Sequence, residues 1–196
     1  MSPGTLRVAV DVGVLVEFVG GSDGPWDVES LRSVVGGGLE PVSRLAVIER
    51  PTRRSTWPGA AWTLRGVTSN DRYVTRVERD ALRAREEPLG RTSSNRAALI
   101  PISKSEAWWE LAQDERRRIF EESSRHIANG LRYLPAVARR LHHGRDLGEP
   151  FDFLTWFEFA ERDAPAFDEL VATLRATEEW TYVVREVDIR LALERR

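Results

Sequence analysis

Cysteine is absent from this 196-residue chain. That excludes disulfide frameworks, thiolate nucleophiles, cysteine-ligated zinc, iron–sulfur clusters and covalently attached c-type haem. Histidine is almost as scarce: only His126, His142 and His143 occur, one isolated imidazole and one adjacent pair. Methionine stands once, at Met1. A single methionine and no cysteine, the two most oxidisable side chains, would suit an enzyme that makes oxidants, although the composition of a GC-rich genome is the larger part of the explanation. Lysine is the sharpest shortage, since 28 of the 29 basic residues are arginine and the single ammonium is Lys104. A compact, flexible charge kept at one position alone raises the question of what needs it there.

Charge of one sign is also missing. The formal net charge is -2, with acids and bases interspersed, so the chain carries no electrostatic footprint for nucleic acid or a membrane surface, and a small-molecule partner is expected. Val8 to Val19 is apolar, but Asp11 and Glu17 interrupt it and no small-residue cleavage site follows. Neither a signal peptide nor a membrane span is expected, and the expected location is the cytoplasm. What is present suffices for a core: 41% of residues are hydrophobic, enough for one domain or two small lobes.

Along the chain, an apolar extended stretch ends at the turn Gly20 to Pro25. Residues Val35 to Ala60, rich in Gly, Pro, Arg and Ser, read as irregular, Trp62 to Val67 as a strand, and Asp71 to Glu86 as an exposed helix stopped by Pro88. The second half is better patterned. Ala97 to Ser103 reads as a buried strand and Ser105 to Leu131 as one long helix, with Ile119, Ser123, His126, Ile127 and Gly130 on its inner side. Pro135 breaks it. Ala136 to Arg145 then reads as a strand with Val137, Arg139, Leu141 and His143 on one face, paired through a hairpin with Phe153 to Phe159. A helix striped by Phe167, Leu170, Val171 and Leu174 follows, and a last strand sets Val183, Val187, Ile189 and Leu191 on one face. The order β-α-β-β-α-β predicts an α+β, ferredoxin-like sheet with both helices on one side.

His126, inward on its helix beside small residues, fits either a satisfied core histidine or an axial ligand. An axial histidine needs an acceptor for its second ring nitrogen, and Glu178 and Glu179 are available. Arg139 shares an apolar strand face, so its guanidinium marks a salt bridge, with Glu86 as a candidate partner, or an anion site, unless it reaches water. Leu99-Ile100-Pro101-Ile102-Ser103-Lys104, followed by Trp108 and Trp109, sets a cation beside indoles, which suits plain core or the edge of a flat cofactor. His142 and His143 point to opposite faces of a strand and read as structural.

Four stretches carry a resemblance: WTLRGVTSNDRYVTR from Trp62, AALIPISKSEAWWELAQDERRRIFEESSRHIANGLRYLPAVARRL from Ala97, GRDLGEPFDFLTWFEF from Gly144 and LRATEEWTYVVREVDIRL from Leu174. Together they cover about half the chain and resemble the chlorite dismutases, in particular their short dimeric lineage. The resemblance implies a dimeric α+β barrel, with residues 1–96 as a reduced ferredoxin-like lobe and 97–196 as a complete, haem-binding one. It implies haem b, one per chain, with His126 as its iron ligand and Glu179 accepting a hydrogen bond from that imidazole. Arg139 matches the family's distal arginine. Lys104, Trp108 and Trp109 match a KSxxWW motif along the haem, Ile100 belongs to the same cofactor-lining run, and Tyr73 matches a tyrosine near a propionate. Glu86 stands where the family pattern has a glutamine that bonds the distal arginine. The implied substrate is chlorite and the implied assembly a homodimer. Within the superfamily, a decarboxylase of coproporphyrin haem is the alternative enzyme, and a haem sensor or carrier the alternative of another class.

Overall fold

A computed structural model of the chain describes residues 13–51, 57–68, 75–85 and 88–193. Tyr73 and Glu86 lie outside the described residues. The first half contributes strands β1 (Leu15–Gly21), β2 (Trp26–Val35), β3 (Arg44–Glu49) and β4 (Ala60–Thr68), then helix α1 (Arg76–Arg85). The second contributes β5 (Arg96–Lys104), short helices α2 (Glu106–Glu110) and α3 (Gln113–Arg117), a π-helical turn (Arg118–Ser123) and α4 (His126–Arg132). Strands β6 (Ala138–His143) and β7 (Phe153–Phe159), helix α5 (Ala164–Arg175), a 3-10 turn (Glu178–Tyr182) and β8 (Val183–Leu193) complete it.

The strands close into an antiparallel barrel in the order β1-β3-β2-β8-β5-β7-β6-β4. Its second half, β8-β5-β7-β6, is a complete ferredoxin-like unit. The first half runs β4-β1-β3-β2, the same spatial order, but the tight turn after β1 and the connection after β3 replace its helices. The predicted α+β ferredoxin-like fold is thus the observed one. Strand β5 opens at Arg96, so a border at 96/97 falls after its first residue.

Alternation along the strands divides two apolar layers. Leu99, Leu154, Trp156, Val187, Ile189 and Leu191 point into the barrel with Val16, Phe18, Leu45 and Leu64. Ala98, Ile100, Ile102, Phe153, Phe157 and Phe159 point outward beneath the helices. Helix α5 covers that outer face with Phe167, Leu170, Val171 and Leu174, all buried and at the predicted spacing. Phe167 stacks on Phe159 and tilts against Phe157, and each such side chain contributes roughly 1.5–3 kcal/mol by leaving water.

Four predictions need correction. Val35 to Ala60 is not all irregular, because Arg44 to Glu49 forms β3 between β1 and β2. Barrel closure supplies both its neighbours, which local composition does not reveal. Val183 does not share the face of Val187, Ile189 and Leu191: Lys104 pairs with Val183 while Ser103 pairs with Arg185, so Val184 is bulged out and the alternation flips there. Ser105 to Leu131 is not one helix but four short pieces. Within them Ser123 faces solvent and its neighbour Ser124 is buried. The cause is the π-helical turn, in which Ser124 N–H donates to Ile119 O five residues back at 3.0 Å. One extra residue in the turn rotates everything after it.

Candidate functional site

The π-helical turn and the residue after it set His126. Arg125 is left-handed at φ 51°, a conformation that costs a non-glycine residue about 1–2 kcal/mol, and it swings the chain into α4 with His126 as first residue. Glu121 reaches forward from the turn to cap that helix, accepting from Ile127 N–H at 2.8 Å and Ala128 N–H at 3.3 Å. Phe120 stacks on the imidazole with ring centroids 4.5 Å apart.

His126 Nδ1 lies 2.8 Å from Glu179 Oε2, and Lys104 Nζ lies 2.6 Å from Glu179 Oε1. One carboxylate therefore joins the isolated histidine to the only lysine. Glu179 is buried in the 3-10 turn after α5, whereas Glu178 is exposed. Burial pushes the Glu179 carboxyl up, but the His126 and Lys104 charges and their hydrogen bonds outweigh it and hold the group at about 2. Burial also draws the Lys104 ammonium below its usual value, with Glu179 opposing the change. Beyond Lys104 comes Trp108, its ring centroid 3.3 Å from Nζ.

Trp109 lies beside this chain. It stacks on Phe153 under the Arg145 guanidinium, and its indole N–H donates to Asp152 Oδ2 at 3.3 Å. The same oxygen accepts Lys104 N–H at 2.7 Å. Ile100 and Leu141 lie in the apolar layer that Trp109 and Tyr133 join. Arg139, on the outer face of β6, is half-buried and points at α4, where a Cβ on Gly130 would stand only 2.8 Å from its Nη1. Gly130 is one turn beyond His126, so guanidinium and imidazole share one helix face.

The donor set fits a metal that brings its own ligands. Among the described residues no group of three histidines or acids gathers to chelate an ion. His126 offers one nitrogen, Nε2, which bonds no described residue, while Nδ1 is committed to a carboxylate. The indole N–H of Trp108 and the hydroxyl of Tyr133 are buried without a partner among the described residues, donors that a carboxylate-bearing macrocycle could occupy.

Residues 41–194 match the profile of the chlorite dismutases. The chain belongs to the chlorite dismutase family. A crystal structure of dimeric chlorite dismutases from Nitrobacter winogradskyi is 56% identical, superposes with a TM-score of 0.85, and covers 91% of this chain and 99% of that one. The chlorite dismutase of Ideonella dechloratans is 35% identical over 89 residues, which are 45% of this chain and 29% of that protein's length. The chain therefore spans under a third of that relative. A mutant chlorite dismutase of Candidatus Nitrospira defluvii, solved with cyanide, shares the fold at 18% identity, a TM-score of 0.68 and coverage of 94% and 92%. Among the described residues no helix is long and apolar enough to cross a membrane.

Asp152 and Ser124 contribute to the geometry, as Phe120 and Glu121 do, without being among the sequence candidates. Asp152 holds Lys104 and Trp109 together, and its only sequence signal is an acid between phenylalanines at the start of a strand. Ser124 accepts Glu179 N–H at 3.0 Å, and the π-helical turn that buries it leaves no mark in the apolar spacing.

Proposed function

We propose that this chlorite dismutase homologue binds one haem b per chain and converts chlorite to chloride and dioxygen, as a cytoplasmic homodimer that removes chlorite. Residues 97–196 would form the haem-binding lobe and 1–96 the reduced one. The observation that carries the reading is the chain Trp108, Lys104, Glu179, His126, which ends in an imidazole nitrogen with no partner among the described residues.

When bound, haem b supplies redox-active iron with one coordination site open to the anion. His126 would hold it through Nε2. Glu179, whose pKa is held at about 2 and which is therefore anionic at neutral pH, accepts a hydrogen bond from Nδ1–H and makes the imidazole a stronger donor. Lys104 keeps that carboxylate compensated inside the protein. Trp108, Trp109 and Ile100, with Tyr73, would line the macrocycle.

Arg139 attracts chlorite and retains chlorine–oxygen anions until both oxygens leave as dioxygen. Chlorite is already an anion at neutral pH, so no general base is required. Glu86 would pair with Arg139, holding it back and weakening its pull more than a glutamine could. Glu86→Gln should therefore quicken turnover and flatten its pH dependence, and unchanged kinetics would sink that role. Arg139 also favours this reaction over decarboxylation of coproporphyrin haem, because a cation at the site attracts and retains a small anion.

The deciding experiment is dioxygen release from chlorite by haem-loaded protein at an oxygen electrode, beside Arg139→Ala and His126→Ala. Oxygen from the wild type, impaired in both variants, supports the reading. Haem retained without oxygen release moves it to haem sensing or transfer.

A further inference from the structure

We propose that Ser124 is a positioning residue that fixes the Glu179 carboxylate against His126. The inference rests on the reading of His126 as a haem ligand and adds a residue to it. Glu179 uses both carboxylate oxygens, one on Lys104 and one on His126, so its backbone must be set correctly for both at once. The 3-10 turn that carries it is held from the β8 side, where Trp180 Nε1–H donates to Glu186 Oε2 at 2.8 Å and Arg175 binds the other oxygen of Glu186. From the His126 side, the turn is held by Ser124, whose Oγ accepts Glu179 N–H at 3.0 Å.

Ser124 is itself pinned. Its N–H closes the π-helical turn on Ile119 O, and its carbonyl accepts Asn129 Nδ2–H at 3.1 Å. It is buried, and it stands two residues before His126 across the left-handed Arg125. A small closed ring results: His126 Nδ1 to Glu179 Oε2, Glu179 N–H to Ser124 Oγ, and the backbone of 124–126 back to His126. Both ends of the His126–Glu179 hydrogen bond are thus referenced to one residue, one through its hydroxyl and the other through its backbone. The one-residue insertion that turns Ser124 inward, in place of Ser123, is what closes the ring. Without that hydroxyl the turn can drift while every other contact remains, and a hydrogen bond weakens steeply with drift in distance and angle.

The test uses Ser124→Ala, Ser124→Cys as a near-isosteric second removal, and Ser124→Thr, which keeps the oxygen. In the apoprotein, amide exchange at Glu179 should quicken at least tenfold in the Ala and Cys variants and stay near wild type in Thr. In haem-loaded protein, the Ala and Cys variants should show an iron reduction potential shifted positive and a lower iron–histidine stretching frequency, because less electron density reaches the metal. On a Glu179→Gln background the same substitutions should add no further shift. Unchanged exchange, or quickened exchange with an unmoved potential, overturns the proposal and leaves Ser124 a merely structural residue. Should the wild type take up no haem, the haem reading itself fails, and an unchanged Glu179 amide in the apoprotein would still refute Ser124 separately.

Discussion

Lys104 Nζ stands 2.6 Å from Glu179 Oε1, and neither side chain is more than 4% exposed. A buried ion pair of this kind is costly to assemble but more costly to halve, because removing one member strands the other charge in a poor solvent. Lys104→Met keeps most of the volume and removes the charge. It should lower unfolding free energy by about 3–5 kcal/mol, read from urea denaturation of the apoprotein. Lys104→Met combined with Glu179→Gln should recover part of that loss, and strict additivity of the two effects would show that the pair is not coupled.

Gly130 and Arg139 allow stability and the proposed anion handling to be separated. A Cβ at 130 would meet the guanidinium, which is the end of a flexible side chain and can move aside, while alanine improves the helix by about 1 kcal/mol over glycine. Gly130→Ala should therefore leave thermal stability equal or higher. It should also raise the KM for chlorite in haem-loaded protein by displacing Arg139 from its seat against α4. A marked drop in melting temperature would mean that the backbone, not the guanidinium, gives way.

His142 predicts a pH dependence that does not involve the His126 site. Its ring lies inside the barrel beside Phe18, lines a cavity of about 290 Å³ with Trp26, Trp156 and Arg140, and bonds Leu154 O through Nδ1 at 3.1 Å. Burial pulls its pKa down from 6.5 to about 4, the Leu154 bond only partly opposing the change. Between these values the unfolded chain binds a proton that the native state refuses, so stability rises with pH across the window and is lost as pH falls from 6.5 toward 4. The full effect is roughly 3 kcal/mol. His142→Asn, which keeps a donor for Leu154 O, should flatten that slope in urea midpoints taken from pH 4 to 7; an unaltered slope would assign the dependence to other groups.

The legible parts of this protein are those governed by local period. The α5 stripe and the strand face that Arg139 shares with Val137 and Leu141 follow from spacings of 3.6 and 2, and the opposed faces of His142 and His143 follow from strand geometry alone. What stayed hidden depends on partners or single insertions. Strand β3 exists because the barrel closes around it, the bulge at Val184 reverses one face of β8, and one π-helical turn exchanges Ser123 for Ser124 at the inner surface. The pairing of Lys104 with Glu179 spans 75 residues. Scarcity drew attention to the lysine, but the geometry of the pair comes from β5 and the post-α5 turn meeting in space.

Two neighbouring acids on β8 should separate a structural role from one linked to the site. Asp188 and Glu186 are both fully buried beneath α5 and share Arg175, and Asp188 also binds Arg190. These guanidinium partners hold the Asp188 carboxyl below its usual value despite the opposing effect of burial. Asp188→Asn and Glu186→Gln each leave half-buried guanidinium donors with less charge to meet, so each should cost about 1–3 kcal/mol of stability. Only Glu186 also receives Trp180, the residue beside Glu179. At temperatures where both variants are folded, Asp188→Asn should therefore retain the wild-type haem spectrum and turnover per haem, while Glu186→Gln should shift the spectrum and lower turnover. If both variants leave the spectrum untouched, the Glu179 turn does not depend on its β8 anchor.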